Sequence, residues 1–169
     1  MKKILLIAIA LVLGASAVQA QKYAIVDSEY ILRKMPKYKS AQEQVDKASA
    51  QYQKEVDDTY KDVDDMYRTY QAEKVLLTDD MKRKREETII DKEKAAKELQ
   101  RKYFGPDGAL FKKREELLKP VQDQLYNAIK DVAAEGGYAV IFDSANNPSL
   151  IYISPRYDKS DDVLKRLGL

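Results

Sequence analysis

The stretch KYKSAQEQVDKASAQYQKEVDDTYKDVDDMYRTY, residues 37–70, decides the fold. Apolar or small side chains recur in it at Tyr38, Ala41, Val45, Ala48, Tyr52, Val56, Tyr60, Val63, Tyr67 and Tyr70. Their steps of three and four average about 3.5, the repeat of a helix that lays one seam against a second helix. The consecutive steps of four around Val56 read as a stutter that locally relaxes the supercoil. Alanine and tyrosine stand where a tight zipper carries leucine, so the seam packs softly and buries little area per turn. Outward from it, residues 37–102 contain no glycine or proline, and 32 of these 66 residues are charged, 16 of each sign. That is the composition of a long solvated helix, not of a globular core.

Leu76-Leu77-Thr78-Asp79-Asp80 interrupts the periodicity. Thr78 suits the N-cap of a second helix whose first turn holds two carboxylates, where the helix dipole favours them. A hairpin tip is therefore expected near 76–80. The return helix carries a sparser stripe, Met81, Ile89, Ala96, Leu99 and Tyr103, and meets Gly105-Pro106-Asp107-Gly108, which breaks it. The pattern resumes with Phe111, Leu118, Val121, Leu125, Ala128 and Val132 and stops at Gly136-Gly137, with Pro120 expected to kink the helix or start a new one.

Strand signals lie only at the flanks. Tyr23–Val26, Tyr138–Phe142 and Leu150–Ile153 are short runs rich in β-branched and aromatic residues, and they are expected to share one sheet, the last two as a hairpin around Asn146-Asn147. Ser160-Asp161-Asp162 is expected to cap a final helix over about 161–167. So small a core seldom holds together alone, and oligomerisation is the expected remedy.

Met1-Lys2-Lys3, an apolar run from Ile4 to Leu13 and small residues ending at Val18-Gln19-Ala20 have the three-part layout of a secretory signal, with cleavage expected before Gln21. Residues 1–20 hold two of the 30 basic residues, leaving 28 to face 28 acidic ones, so the mature chain is formally neutral. The chain has no cysteine and no histidine, which removes disulfides, thiolate metal sites and the commonest general base. Gly105–Gly108 lacks the lysine and preceding strand of a phosphate loop, and Asp27 and Asp143 read as turn or cap groups rather than a catalytic pair. The reading is that of a non-enzyme without a cofactor.

Ala24-Ile25-Val26-Asp27, Gly137-Tyr138-Ala139-Val140-Ile141-Phe142-Asp143 and Tyr157-Asp158-Lys159-Ser160-Asp161-Asp162-Val163 stand in this order around the charged hairpin. With Leu118-Lys119-Pro120-Val121-Gln122 and the break Phe104–Gly108, they resemble the Skp (OmpH-like) family from Tyr23 to Leu167. The resemblance implies an α+β fold in which a small β-body, a trimeric barrel-like core, carries long antiparallel coiled-coil hairpin arms. It assigns residues 21–36 and 118–169 to the body and 37–117 to the arm. It further implies an ATP-independent periplasmic holdase, a homotrimer that binds unfolded outer-membrane proteins and not nucleic acid. An envelope tether is the alternative reading of the same hairpin.

Within that frame, Tyr52, Val56, Tyr60, Val63, Tyr67, Tyr70, Val75, Leu76 and Leu77 are the candidate client contacts, each weak and additive through multivalency. Tyr52, Tyr60 and Tyr67 read equally as plain seam residues. The run Lys82-Arg83-Lys84-Arg85 is a solvated helix face or a contact for anionic lipid or lipopolysaccharide. Gly105, Pro106 and Gly108 are read as a hinge.

Overall fold

In a computed structural model, residues 21–145 and 147–169 are described; the expected export signal and Asn146 lie outside them. The elements in order are β1 (Lys22–Val26), α1 (Ser28–Lys34), α2 (Pro36–Glu73), a 3-10 turn at Lys74–Leu76, α3 (Asp79–Phe104), α4 (Ala109–Gly136), β2 (Tyr138–Asp143), a 3-10 turn at Pro155–Tyr157 and α5 (Ser160–Arg166). The described residues divide into two compact units, one of residues 32–124 and one of residues 21–31 together with 125–169.

The first unit is the expected hairpin, with α2 and α3 packed against each other. Helix α2 has 38 residues, about 57 Å, and α3 has 26, about 39 Å. Ala41, Val45, Val56 and Tyr70 are buried on α2, and Tyr38, Ala48, Tyr52, Tyr60 and Val63 are half-buried, so the stuttered seam is real. Tyr67 departs from it and is exposed, because the half-buried residue between Val63 and Tyr70 is Met66. Steps of three and then four from Val63 to Met66 to Tyr70 hold the heptad, and the sequence offered an apolar residue at both 66 and 67.

Among the described residues the second unit has two strands, not the expected three. Strands β1 and β2 pair in parallel, with Ala24 opposite Ile141 and Ile25 opposite Phe142. Parallel neighbours need a long crossover, and here the whole of α1 to α4 supplies it. The far side of β1 is met at a single bridge to Asp158, where the Lys159 N–H donates to Ile25 O at 2.8 Å. Leu150–Ile153 is therefore irregular, and the expected hairpin is absent. β propensity alone does not make a strand without a ladder partner; the Leu150 N–H reaches only Asn147 O, at 3.2 Å, and Ile151 is 96% exposed.

The core of this unit gathers Ala24, Ile25, Val26, Ile31, Leu125, Ala128, Val132, Val163 and Leu164. Ser160 is buried beside it: its hydroxyl accepts from the Asp27 N–H at 2.8 Å and donates to Asp158 Oδ1 at 2.7 Å. Ser160 is thus the first residue of α5 rather than its cap, which is Lys159. Asp27 accepts from the Tyr30 N–H at 2.8 Å at the start of α1, and Asp143 accepts from Ser28 N–H at 3.1 Å and Ala145 N–H at 3.0 Å. Both carboxylates are committed to turns.

Helix α4 runs unbroken through Pro120, so no new helix starts there. Its buried face is Leu110, Val121, Leu125, Ala128 and Val132; Phe111 is exposed, since Leu110 lies three full turns before Val121 and takes that place. The helix stops at Gly137, whose φ of 65° is the left-handed conformation that a C-terminal glycine adopts without strain.

Candidate functional site

Three tyrosines on the seam bond across the hairpin. The Tyr52 ring stacks on Tyr103 with centroids 4.2 Å apart and planes at 10°. The Tyr103 hydroxyl donates to Glu55, and that bond, followed by one from Gln51, holds the Glu55 carboxyl below its ordinary range and raises the Tyr103 hydroxyl. Tyr60 donates to Gln100 Oε1 at 3.2 Å. Tyr70, buried, donates to Glu86, and its pKa is pushed up to about 12, chiefly by that bond and then by burial. Lys92 and Asp62, 3.7 Å apart, and Arg85 and Glu73, 3.3 Å apart, add ion pairs between the helices, of the exposed kind that contributes little. The soft seam is thus held by phenol-to-acceptor bonds that leucines could not make.

Of the nine residues expected to touch clients, Tyr52, Val56, Tyr60, Val63 and Tyr70 are buried or half-buried in this hairpin. Tyr67, Val75 and Leu76 are exposed, and Leu77 is half-buried. The tip is closed by two long hydrogen bonds. The Leu77 N–H donates to Lys74 O at 3.4 Å, and Thr78 Oγ1 caps α3 by accepting from the Met81 N–H at 3.4 Å. Val75 and Leu76 stand on this turn 89% and 83% exposed, a combination of large apolar side chains and near-complete hydration on an ordered turn.

Three further exposed apolar residues, Met81, Ile90 and Phe104, lie on α3 and were not among the expected contacts. The signal for Met81 was present in the spacing: a heptad counted back from Ile89 falls on Lys82, not Met81, and Lys82 is half-buried. Ile90 adjoins half-buried Ile89, and one seam cannot take both. Tyr67, Val75, Leu76, Met81 and Ile90 are thus exposed apolar side chains of the outer hairpin.

A family model described as "Outer membrane protein (OmpH-like)" matches residues 22–167. The chain belongs to the OmpH-like family. A solved OmpH-like structure, a candidate outer membrane chaperone from Caulobacter crescentus CB15, superposes with a TM-score of 0.67 at 16% identity, covering 87% of this chain and 83% of that one. At that identity the likeness is one of fold. No sequence among the curated proteins matches the chain.

The cationic run of this OmpH-like hairpin is largely paired. Lys82 lies 3.1 Å from Asp79, Arg83 bonds Asp80 and Arg85 reaches Glu73, leaving Lys84 without an acidic partner among the described residues. The field it offers an anionic surface is smaller than four adjacent cations suggest. At the break, the Gly105 N–H donates to Arg101 O at 2.8 Å and the Gly108 N–H to Gly105 O at 2.9 Å. A β-carbon on Gly105 would stand 2.4 Å from the Arg101 carbonyl oxygen, and one on Gly108 2.6 Å from that of Tyr103. Both glycines answer a steric demand of a hydrogen-bonded corner, and neither has a positive φ. Among the described residues no helix is long and apolar enough to cross a membrane.

Proposed function

We propose that this OmpH-like chain is an ATP-independent holdase of the periplasm that keeps unfolded outer-membrane proteins from aggregating, acting as a homotrimer. The observation that carries the reading is the ordered, hydrated apolar tip, Val75 and Leu76, at the end of a hairpin whose seam is closed by polar bonds. Apolar side chains held in water on a hydrogen-bonded turn favour a partner that is itself extended and apolar, and several such weak contacts, multiplied over three chains, allow release without nucleotide. The Lys82–Arg85 run would add salt-sensitive contact with anionic lipid or lipopolysaccharide, and Gly105–Gly108 is where the hairpin would bend. Membership of the family and the fold of the Caulobacter chaperone candidate support the assignment. An envelope tether of the same shape has no need of exposed valine and leucine at its tip.

The test is dilution of a urea-unfolded outer-membrane β-barrel protein into buffer with the purified chain and no nucleotide, followed by light scattering. Suppression near stoichiometric amounts is expected. Scattering that rises as fast with the chain present as without it would sink the holdase reading, and light scattering of the chain alone that reports a monomer would sink the trimer.

A further inference from the structure

The chain has no cysteine, so methionine is its only sulfur. The three methionines among the described residues differ sharply in exposure. Met35 is 2% exposed, Met66 is half-buried in the hairpin seam, and Met81, in the first turn of α3, is 49% exposed. Oxidation of a thioether follows its access to oxidant, so the order of attack is Met81, then Met66, then Met35.

We infer that Met81 is a reversible oxidation site that turns the hairpin's client contact down while leaving its fold intact; the effect on clients rests on the holdase reading above. The step is oxidation by hypochlorous acid or hydrogen peroxide. With hypochlorous acid the sulfur lone pair takes the chlorine and hydroxide leaves, and water then displaces chloride to give the sulfoxide with loss of two protons; with hydrogen peroxide the lone pair attacks oxygen, the O–O bond breaks and water is released. A sulfoxide reductase reverses it with two electrons and two protons, releasing the oxygen as water. The product puts a strong dipole on an exposed side chain in the first turn of α3, directly after the tip turn that carries Val75 and Leu76.

The local fold tolerates the change. Met81 is tied to the tip through its backbone N–H, which donates to Thr78 Oγ1 at 3.4 Å and is untouched by chemistry at sulfur. Its side chain is exposed, so the new S–O dipole is hydrated rather than buried. Met66 is the opposite case. A sulfoxide there would set an unpartnered dipole into the seam between Val63 and Tyr70, which loosens the hairpin itself. Low oxidant therefore weakens grip, and only higher oxidant damages the arm.

The test treats the full chain with one and then several equivalents of hypochlorous acid and reads peptide masses, helical circular dichroism and suppression of aggregation of an unfolded outer-membrane β-barrel protein. At one equivalent the expected result is a gain of one oxygen at Met81, unchanged dichroism and about three- to tenfold weaker client binding, restored by a sulfoxide reductase. Met81→Leu, measured against its own untreated binding, should show no loss at one equivalent of oxidant; Met81→Gln should mimic the sulfoxide without oxidant. Oxygen appearing on Met66 or Met35 first overturns the site. A Met81 sulfoxide form that holds client as tightly as the reduced chain overturns the regulatory role. Failure of the unoxidised chain to suppress aggregation removes the holdase reading and that role with it, while the masses still decide the site.

Discussion

Replacing Val75 and Leu76 together by serine separates client contact from folding. At 89% and 83% exposure the two side chains give up almost no buried area in the folded hairpin, so the stability change should stay within about 0.5 kcal/mol. The turn is held by the Leu77 N–H to Lys74 O bond and the Thr78 cap, neither of which the substitutions touch. Against a client the arithmetic differs. Full burial of a valine or leucine side chain is worth about 1.5–3 kcal/mol, and a soft, adaptable contact realises roughly half, so the pair supplies about 2 kcal/mol per hairpin. That is about a 30-fold weaker affinity for each arm. Fluorescence anisotropy of a labelled, urea-unfolded outer-membrane β-barrel protein gives the affinity, and thermal circular dichroism gives the stability. A double variant that binds within threefold of the parent would refute the tip as the contact. A melting midpoint that drops by several degrees would refute the premise that the two side chains carry no fold.

The seam should behave in the opposite way. Val56→Ala removes buried volume, and about 1.5 kcal/mol of transfer energy plus a cavity term should cost near 2 kcal/mol in urea unfolding, with binding per folded molecule unchanged; a loss under 0.5 kcal/mol would show that the site collapses freely. pH acts on the tyrosine bonds from both sides. The lowered Glu55 contributes stability that is complete above its ordinary value of 4.5 and is lost as pH falls through its depressed folded value. The raised Tyr70 contributes stability that is complete below 10.0 and is lost as pH rises toward about 12. Melting midpoints should therefore form a plateau with two falling limbs, and Tyr103→Phe should flatten the acid limb; an unaltered acid limb would assign it to other carboxylates. Gly105→Ala forces its β-carbon against the Arg101 carbonyl, so the variant should lose about 1–3 kcal/mol, and a variant as stable as the parent would show that the corner relaxes easily. This also means that alanine at the break reports on strain before it reports on bending.

Much of this chain was legible because its decisive signals are local. A charged stretch without glycine or proline, repeating every three or four residues, must be a helix that meets another, and Thr78 with Asp79 and Asp80 after it marks where the second one starts. Gly105–Gly108 and Gly137 end helices for reasons contained in their own backbone. What periodicity cannot settle is a choice between adjacent residues. Met66 against Tyr67, Ile89 against Ile90 and Leu110 against Phe111 differ by one position, about 100° of helix, and only the facing surface selects between them. Strand pairing is less local still. Tyr23–Val26 and Leu150–Ile153 look alike in composition, yet the first finds β2 more than a hundred residues away and the second finds no ladder. By itself, then, the sequence determined the helical hairpin, its tip, its break and its soft tyrosine seam. Tertiary structure alone decided which tyrosines close that seam, which apolar residues stay in water and which β-prone run becomes a strand, because each of those depends on a partner surface that no local pattern encodes.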